Sequence, residues 1–379
     1  MTSRTRQPSD SSNKRSHPVL AVSMGDRNGI GPEIILKMLV ELYKSGSGQK
    51  TGLLLFASRN AMQYYSRLQE TAPDSPSFLQ ENTARIYRYR DDFYFPSNSD
   101  DIPDPDPGEV LLIPCREPEE EVRPGIMTAA SGKLAMDAVA AGVSACLSGQ
   151  ADALVTAPIS KEAIHMAGFR VPGHTEYLAQ LTGTDTVGMM LVNRHMRIGL
   201  ATIHVSLRRV AEILTSGLIL SRIGLYHSTL VHAFGIPNPR IAVLGLNPHA
   251  GDGGVLGLEE LEIITPAIEA AQKDGIRIDG PWPADGFFGS REFEKSDLIF
   301  AMYHDQGLIP LKLAGFGSGV NVTAGLPIIR TSPDHGTAFS IAGKNRANAG
   351  SMLAACSLAL EMTERRKFSG TDPRTHHAL

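Results

Sequence analysis

The chain has 379 residues, 36 Lys plus Arg against 40 Asp plus Glu, and 42% hydrophobic residues. That is the balance of a globular protein long enough for two domains. A formal charge of −4 argues against broad electrostatic binding to nucleic acid or membrane, and no apolar run approaches the roughly 20 residues that span a bilayer.

The polar, basic start "MTSRTRQPSDSSNKRSHP" lacks the amphipathic apolar face of a transit peptide. The "VLAV" that follows is too short for the core of a signal peptide. Residues 1–17 therefore read as a disordered tail, and residues 366–379 as a second one. "VLAVSM" is the first expected strand. It leads through "GDRNGIG" into a helix that carries Pro32 in its first turn and Ile35, Met38, Leu39 and Leu42 on one face. "TGLLLFAS" reads as the next strand, and "DDFYFPSNSDDIPDPDPGE" as a solvated loop. "GEVLLIP", "ADALVTAP", "MRIGLATIHV", "RIAVLGLNP" and "SDLIFAMYHD" continue the series of strands. Several are apolar nearly throughout, as parallel strands covered on both faces are. The fold class expected is α/β, with helices on both sides of mostly parallel sheets.

Cys115, Cys146 and Cys356 form no CxxC pair and imply no disulfide framework, so a reducing cytoplasm fits best. The glycines of "GDRNGIGPE" spell neither G-x-G-x-x-G nor a Walker A loop.

Three expected strands run into histidine: His204 in "ATIHV", His249 in "GLNPHAGDGG" and His304 in "AMYHD". Ligands of open α/β sheets bind outside the carboxyl ends of the strands. Three imidazoles delivered there can hold one divalent cation and leave positions open for substrate, with Asp285 and Asp305 orienting them. The spacings alone leave ordinary histidines equally open, because no two share a short motif. In "PGHTEYLAQLTG", His174 and Thr175 sit where a helix begins, which suits an anion; Thr175 as a simple N-cap is the other reading. Lys312, Asn321 and Arg330 are donors suited to phosphate or carboxylate, within otherwise apolar or glycine-rich sequence.

Taken together, "GDRNGIGPEI", "DALVTAPISKEAI", "PGHTEYLA", "GLNPHAGDGG", "YHDQGLIPLK" and "TSPDHGTAFSIAGKN" resemble the 4-hydroxythreonine-4-phosphate dehydrogenase family, in that family's order and over nearly all of residues 18–360. The last motif is also similar to the adenosine-binding loop of isocitrate and isopropylmalate dehydrogenases. The resemblance implies two α/β/α domains with a cleft between them. One would comprise 18–165 and 314–365, and the other 166–313 with the metal ligands and dimer contacts. It implies that His204, His249 and His304 bind one divalent ion (zinc, magnesium or cobalt) at a site shared within a homodimer. It places His174, Thr175, Lys312, Asn321 and Arg330 on the substrate, and His335, Gly336, Thr337, Ala338, Ser340, Gly343 and Asn348 on the nucleotide. The nucleotide would be NAD, with NADP as second choice because Ser340 replaces an often acidic residue.

The implied reaction is metal-dependent oxidation of a secondary hydroxyl in a phosphorylated four-carbon acid, followed by β-decarboxylation. The acid would be 4-hydroxythreonine 4-phosphate or 4-phospho-threonate or -erythronate, and Lys161 and Asp285 are candidates for proton handling. A metal-dependent hydrolase and a catalytically silent metabolite-binding protein are the competing readings. Two departures stand out. Arg27-Asn28 replaces the family's Pro-Ala, adding a cation where substrate specificity is at stake if the loop faces the substrate, and residues 91–108 look like an insertion.

Overall fold

Each uninterrupted apolar run of the sequence becomes a strand buried on both faces. In the computed structural model, which describes residues 15–70, 88–89, 102, 104–315 and 317–369, these include β1 (Val19–Ser23), β2 (Gly52–Ala57), β4 (Val110–Pro114) and β5 (Ala153–Thr156). The short β3 (Arg88–Tyr89) flanks β4. Later come β6 (Gly188–Val192), β7 (Arg197–Leu200), β8 (Ile241–Leu244), β9 (Ile278–Trp282), β10 (Leu298–Ala301), β11 (Val320–Ala324) and β12 (Ile329–Pro333). Among the described residues all twelve form one sheet, ordered β3-β4-β2-β1-β5-β12-β11-β6-β7-β10-β8-β9.

The expected α/β class holds, with a correction to its centre. Pairing is parallel outward from β5 and from β7, but β11 runs antiparallel to both β12 and β6, and β6 antiparallel to β7. A single ladder therefore runs through the whole molecule. The strands drawn from residues 19–156 and 320–333 fill one end, and those from residues 188–301 fill the other. Packing is continuous as well. One large apolar cluster includes Leu20, Leu54 and Leu154 at one end and Ile241 and Phe300 at the other.

The helix Gly31–Lys44 opens with Pro32, and Ile35, Met38, Leu39 and Leu42 are buried as expected. Ile34, Leu36 and Val40 are buried too, so this helix lies inside the structure rather than on it. Cys146 and Cys356 are buried within the helices Ala129–Leu147 and Gly350–Ser369.

The described structure reaches into both expected tails. Arg15 donates to the carbonyls of Gly149 and Gln150 and pairs with Asp104 at 2.9 Å, which fixes the approach to β1. The last helix continues to Ser369. Residues 1–14 and 370–379, and most of the 91–108 segment, lie outside the described residues. Among the described residues no helix is long and apolar enough to cross a membrane.

Candidate active site

Three neighbouring parallel strands, β7, β10 and β8, send their carboxyl ends to one edge of the sheet. His204, His249 and His304 follow these strands, although none lies within one. His204 comes four residues after β7, His249 lies in a turn beyond β8, and His304 opens the helix His304–Ala314. Two loop bonds bring the first and third together: Ala201 N–H donates to the Ala301 carbonyl at 2.9 Å, and the Thr202 hydroxyl to that of Met302 at 2.8 Å. The rings of His204 and His304 then lie 5.8 Å apart, centroid to centroid. Imidazole nitrogens bind zinc at roughly 2.0–2.1 Å, which places two rings sharing one ion roughly 5–6 Å apart, so the pair fits a divalent ion. Burial, then Lys161 and His304, lower the pKa of His204, which favours the neutral form that a metal requires. His304 meets Asp305 at 2.7 Å through Nδ1, which leaves Nε2 for a ligand.

His249 is held differently. Its turn has positive φ at His249, Ala250 and Asp252, a conformation that costs a non-glycine residue roughly 1–2 kcal/mol. Buried Glu260 secures the turn by accepting from the N–H groups of Leu246 and Asn247, both at 2.7 Å. Among the described residues no three His, Cys, Asp or Glu side chains come together as a metal site. The expected triad is thus not assembled within one chain.

A second constellation lies on β12 and β11. Arg330 is 2% exposed, and its two terminal nitrogens donate to Thr323 at 3.0 Å and Thr156 at 2.6 Å. Both acceptors are neutral, and Nε has no acceptor among the described residues. Burial pulls the Arg330 pKa down to about 9. A guanidinium buried without a carboxylate is costly unless an anion arrives. His174 is partly exposed, but its Nε2 is out of solvent with no partner among the described residues; burial and Arg330 hold its pKa well below the ordinary value. Asn321 Oδ1 is buried in the same condition.

The helix His174–Thr182 is capped by Gly173 with no side-chain bond, so Thr175 is not its N-cap. Lys312 is exposed on the helix His304–Ala314, beside exposed Ile309 and Leu313.

Lys161 begins the helix Lys161–Met166, capped by Ser160, and lies between the Gly173 turn and His204. Asp285 is exposed at the start of Ala284–Gly289, and among the described residues its side chain forms no hydrogen bond or ion pair.

The expected nucleotide loop follows β12. His335, Gly336, Thr337 and Ala338 lead into the short turn Phe339–Ile341, with Ala338 at φ 42°. Ser340 is exposed, and its carbonyl accepts from Lys344 at 2.8 Å. Gly343 needs its positive φ of 72°, and Asn348 caps the next segment by accepting from Gly350 N–H at 2.7 Å. Glu33 supports this loop by accepting from Ala347 N–H at 2.7 Å, while Lys37 donates to Asn345 and Ala347.

Arg27 is fully buried and donates through Nη2 to the carbonyls of Glu120 and Glu121, while its Nε and Nη1 are buried with no hydrogen-bond partner among the described residues. Thr156 and Thr323 escaped the reading of the sequence. Their signal was a hydroxyl within an otherwise apolar strand, in "ALVT" and "VNVTA".

The family model described as pyridoxal phosphate biosynthetic protein PdxA matches residues 53–359. A 4-hydroxythreonine-4-phosphate dehydrogenase from Prosthecochloris aestuarii is 42% identical over 348 residues, 91% of this chain and 97% of that protein. A relative of the same name from Chromobacterium violaceum is also 42% identical, over 345 residues, with the same shares covered. The crystal structure of 4-hydroxythreonine-4-phosphate dehydrogenase from Klebsiella pneumoniae superposes with a TM-score of 0.77 at 38% identity, covering 92% of this chain and 98% of that one. A match of this extent, over a sheet edge that gathers histidines and a buried unneutralised arginine, makes the chain a member of the pyridoxal phosphate biosynthetic protein PdxA family.

Proposed function

We propose that this protein oxidises the secondary hydroxyl of a phosphorylated four-carbon hydroxy acid with a nicotinamide dinucleotide, then releases as carbon dioxide the carboxylate carried on the carbon α to the new ketone. 4-Hydroxythreonine 4-phosphate and the 4-phospho-threonates or -erythronates are the substrates of that class. The observation that carries this reading is Arg330, a buried guanidinium bonded only to neutral hydroxyls, with the orphaned atoms of His174 and Asn321 in the same set of elements. Such donors suit an anion, and a phosphate uses several of them at once.

His204, His304 and a second copy's His249 would hold the divalent ion: zinc, magnesium or cobalt. When bound, that ion supplies positive charge as electron density builds on the substrate oxygens. Lys161 Nζ, beside His204, takes the hydroxyl proton and later returns one to carbon. Arg330 and His174 fix the phosphate, and Thr175 and Asn321 orient the rest of the acid. The 335–348 loop binds adenosine, with NAD ahead of NADP.

Exposed Val255, Leu256, Leu258, Leu261, Ile309 and Leu313 flank the His249 turn and Lys312. A second copy covering them in a two-fold dimer would carry His249, Lys312 and Asp285 into the neighbouring site. Residues 18–165 with 314–365, and residues 166–313, would act as the two domains. The three free cysteines suit a reducing cytoplasm.

The test is a panel of four-carbon phosphorylated acids offered with NAD and NADP, read by absorbance of the reduced nicotinamide. Reduction coupled to carbon dioxide release is the expected result. Phosphate release without reduction would instead identify a hydrolase, and tight binding without turnover a silent protein.

A further inference from the structure

The segment 120–127 runs between the 335–348 loop and the cap of the Lys161 helix, and nothing in the reaction described above uses it. Arg27 holds one end of it: its Nη2 donates to the carbonyl of Glu120 at 2.8 Å and to that of Glu121 at 3.2 Å. Asn28, fully buried, holds the middle. Its Nδ2 donates to the Ile126 carbonyl at 2.9 Å, its Oδ1 accepts from Arg123 N–H at 2.9 Å, and its own carbonyl accepts from Gly125 N–H at 2.8 Å. Asn28 is itself fixed by its N–H donating to Asp26 at 2.9 Å. Two adjacent side chains thus fasten a segment nearly a hundred residues away in the sequence.

The other side of the segment meets the 335–348 loop. A Cβ placed on Gly343 would lie 2.7 Å from Pro124, and one on Gly125 would lie 3.1 Å from the Phe339 carbonyl. The same turn reaches that loop directly, since Ile30 N–H donates to the Thr337 carbonyl at 3.0 Å. The far end of the segment touches the start of the Lys161 helix. Met127 Sδ accepts from the Ser160 hydroxyl at 3.3 Å, and Ser160 caps the helix that begins with Lys161. Between these contacts Ile126 is 52% exposed and Met127 37% exposed, two apolar side chains that the fold does not cover. Arg27 also lies 4.0 Å from the Glu120 carboxylate, beneath the acidic run "EPEEE" that would otherwise repel a diphosphate.

We propose that residues 120–127 form a wall of the dinucleotide site, with Ile126 and Met127 as the apolar face for the nicotinamide ring and Arg27 and Asn28 as positioning residues. This rests on reading 335–348 as the adenosine loop. A dinucleotide seated there and extended toward Lys161 runs along this segment. Nicotinamide has a flat apolar face that such side chains cover well, as interior packing does for other rings.

The test titrates NADH into the full-length parent protein and into Asn28→Ala, Met127→Ala and Met127→Leu, following nicotinamide fluorescence. Both alanine variants should weaken NADH binding by about ten-fold, and Met127→Leu should restore parental affinity. At saturating NAD, the KM for the phosphorylated substrate should stay within about two-fold of the parent value, which separates a nucleotide wall from a general structural defect. Met127 is exposed enough for its variants to fold, so they decide the matter even if Asn28→Ala does not. Parental NADH affinity in Met127→Ala overturns the wall and leaves the loop assignment standing. A parent protein that binds no NADH overturns both.

Discussion

His204 and His304 face each other at 5.8 Å with ring planes inclined by 40°, although they stand a hundred positions apart in the chain. Adjacent parallel strands and two loop hydrogen bonds create that pairing, and the third histidine remains outside it.

A metal site shared between subunits, as proposed above, would allow complementation. His249→Ala and His304→Ala should each be folded and inactive, with metal content reduced. Mixed and allowed to exchange subunits, they should regain up to about a quarter of parental activity, because half the dimers are hybrids with one intact site in two. Metal analysis and turnover of the mixture measure this. A mixture that exchanges subunits and stays inactive would show that all three ligands come from one chain.

The charge on Arg330 predicts opposite effects on binding and on stability. Arg330→Ala should raise the KM for a phosphorylated substrate by roughly ten- to a hundred-fold, the loss of one charge-assisted hydrogen bond of about 1.5–3 kcal/mol. Lys312→Ala should act in the same direction. Inorganic phosphate should raise the melting temperature of the parent protein, and Arg330→Met should abolish that rise without unfolding the protein, because methionine removes an unneutralised buried charge. An equal KM effect on the dephosphorylated analogue would show that neither residue reads phosphate.

His174 predicts a pH dependence of known sign. Its folded pKa is depressed, by burial first and Arg330 second, from the ordinary 6.5. As the pH falls through 6.5 the unfolded chain takes up a proton that the folded chain refuses, so this residue contributes a loss of stability toward acid. Above that pH both states are neutral and the contribution vanishes. Denaturant titrations of the parent and His174→Gln at a series of pH values should show the flatter acid limb in the variant. NMR of the imidazole should find it neutral at pH 6.5.

Ser340 predicts cofactor choice. With the 335–348 loop on the adenosine, as proposed, Ser340→Asp would put a carboxylate beside the 2′-phosphate of NADP. At about 4 Å and an effective dielectric near 20, two charges repel by roughly 4 kcal/mol, which solvent screening at this exposed position reduces to about 1–2 kcal/mol. The ratio of NAD to NADP efficiency should therefore rise several-fold or more in parallel kinetics. An unchanged ratio in an active variant would remove Ser340 from the ribose.

What the sequence disclosed follows from burial. β1, β2, β4 and β5 are apolar on both faces, so an unbroken run of Val, Leu, Ile and Ala marked each one. β11 and β12 were missed as strands because polar residues interrupt them. Asn321 and Thr323 interrupt "VNVTA", and "IRTSP" carries Arg330 and ends in proline. The histidines were legible as residues that follow strands, yet which two would meet depended on β7 lying beside β10, an order the sequence does not print. Arg27 stood out only as an added cation in the family's loop, because nothing local shows that its acceptors are backbone carbonyls nearly a hundred positions away.

The antiparallel centre of the sheet constrains how its two ends can move relative to each other. β6 and β11 share a five-residue register, Gly188–Val192 against Val320–Ala324, so the two ends of the molecule are joined by a backbone ladder rather than a slack linker. Separating them as rigid bodies would break that ladder at about 1 kcal/mol net per hydrogen bond. A change in twist costs far less, since strand pairs tolerate a range of angles. Arg330 on β12 and the loop of His304 after β10 are separated by β11, β6 and β7, every neighbour bonded to the next. An anion held at the one, and an ion at the other, would therefore load a single elastic plate. Occupancy of either would be felt mechanically at the other, through wringing of the sheet rather than hinging.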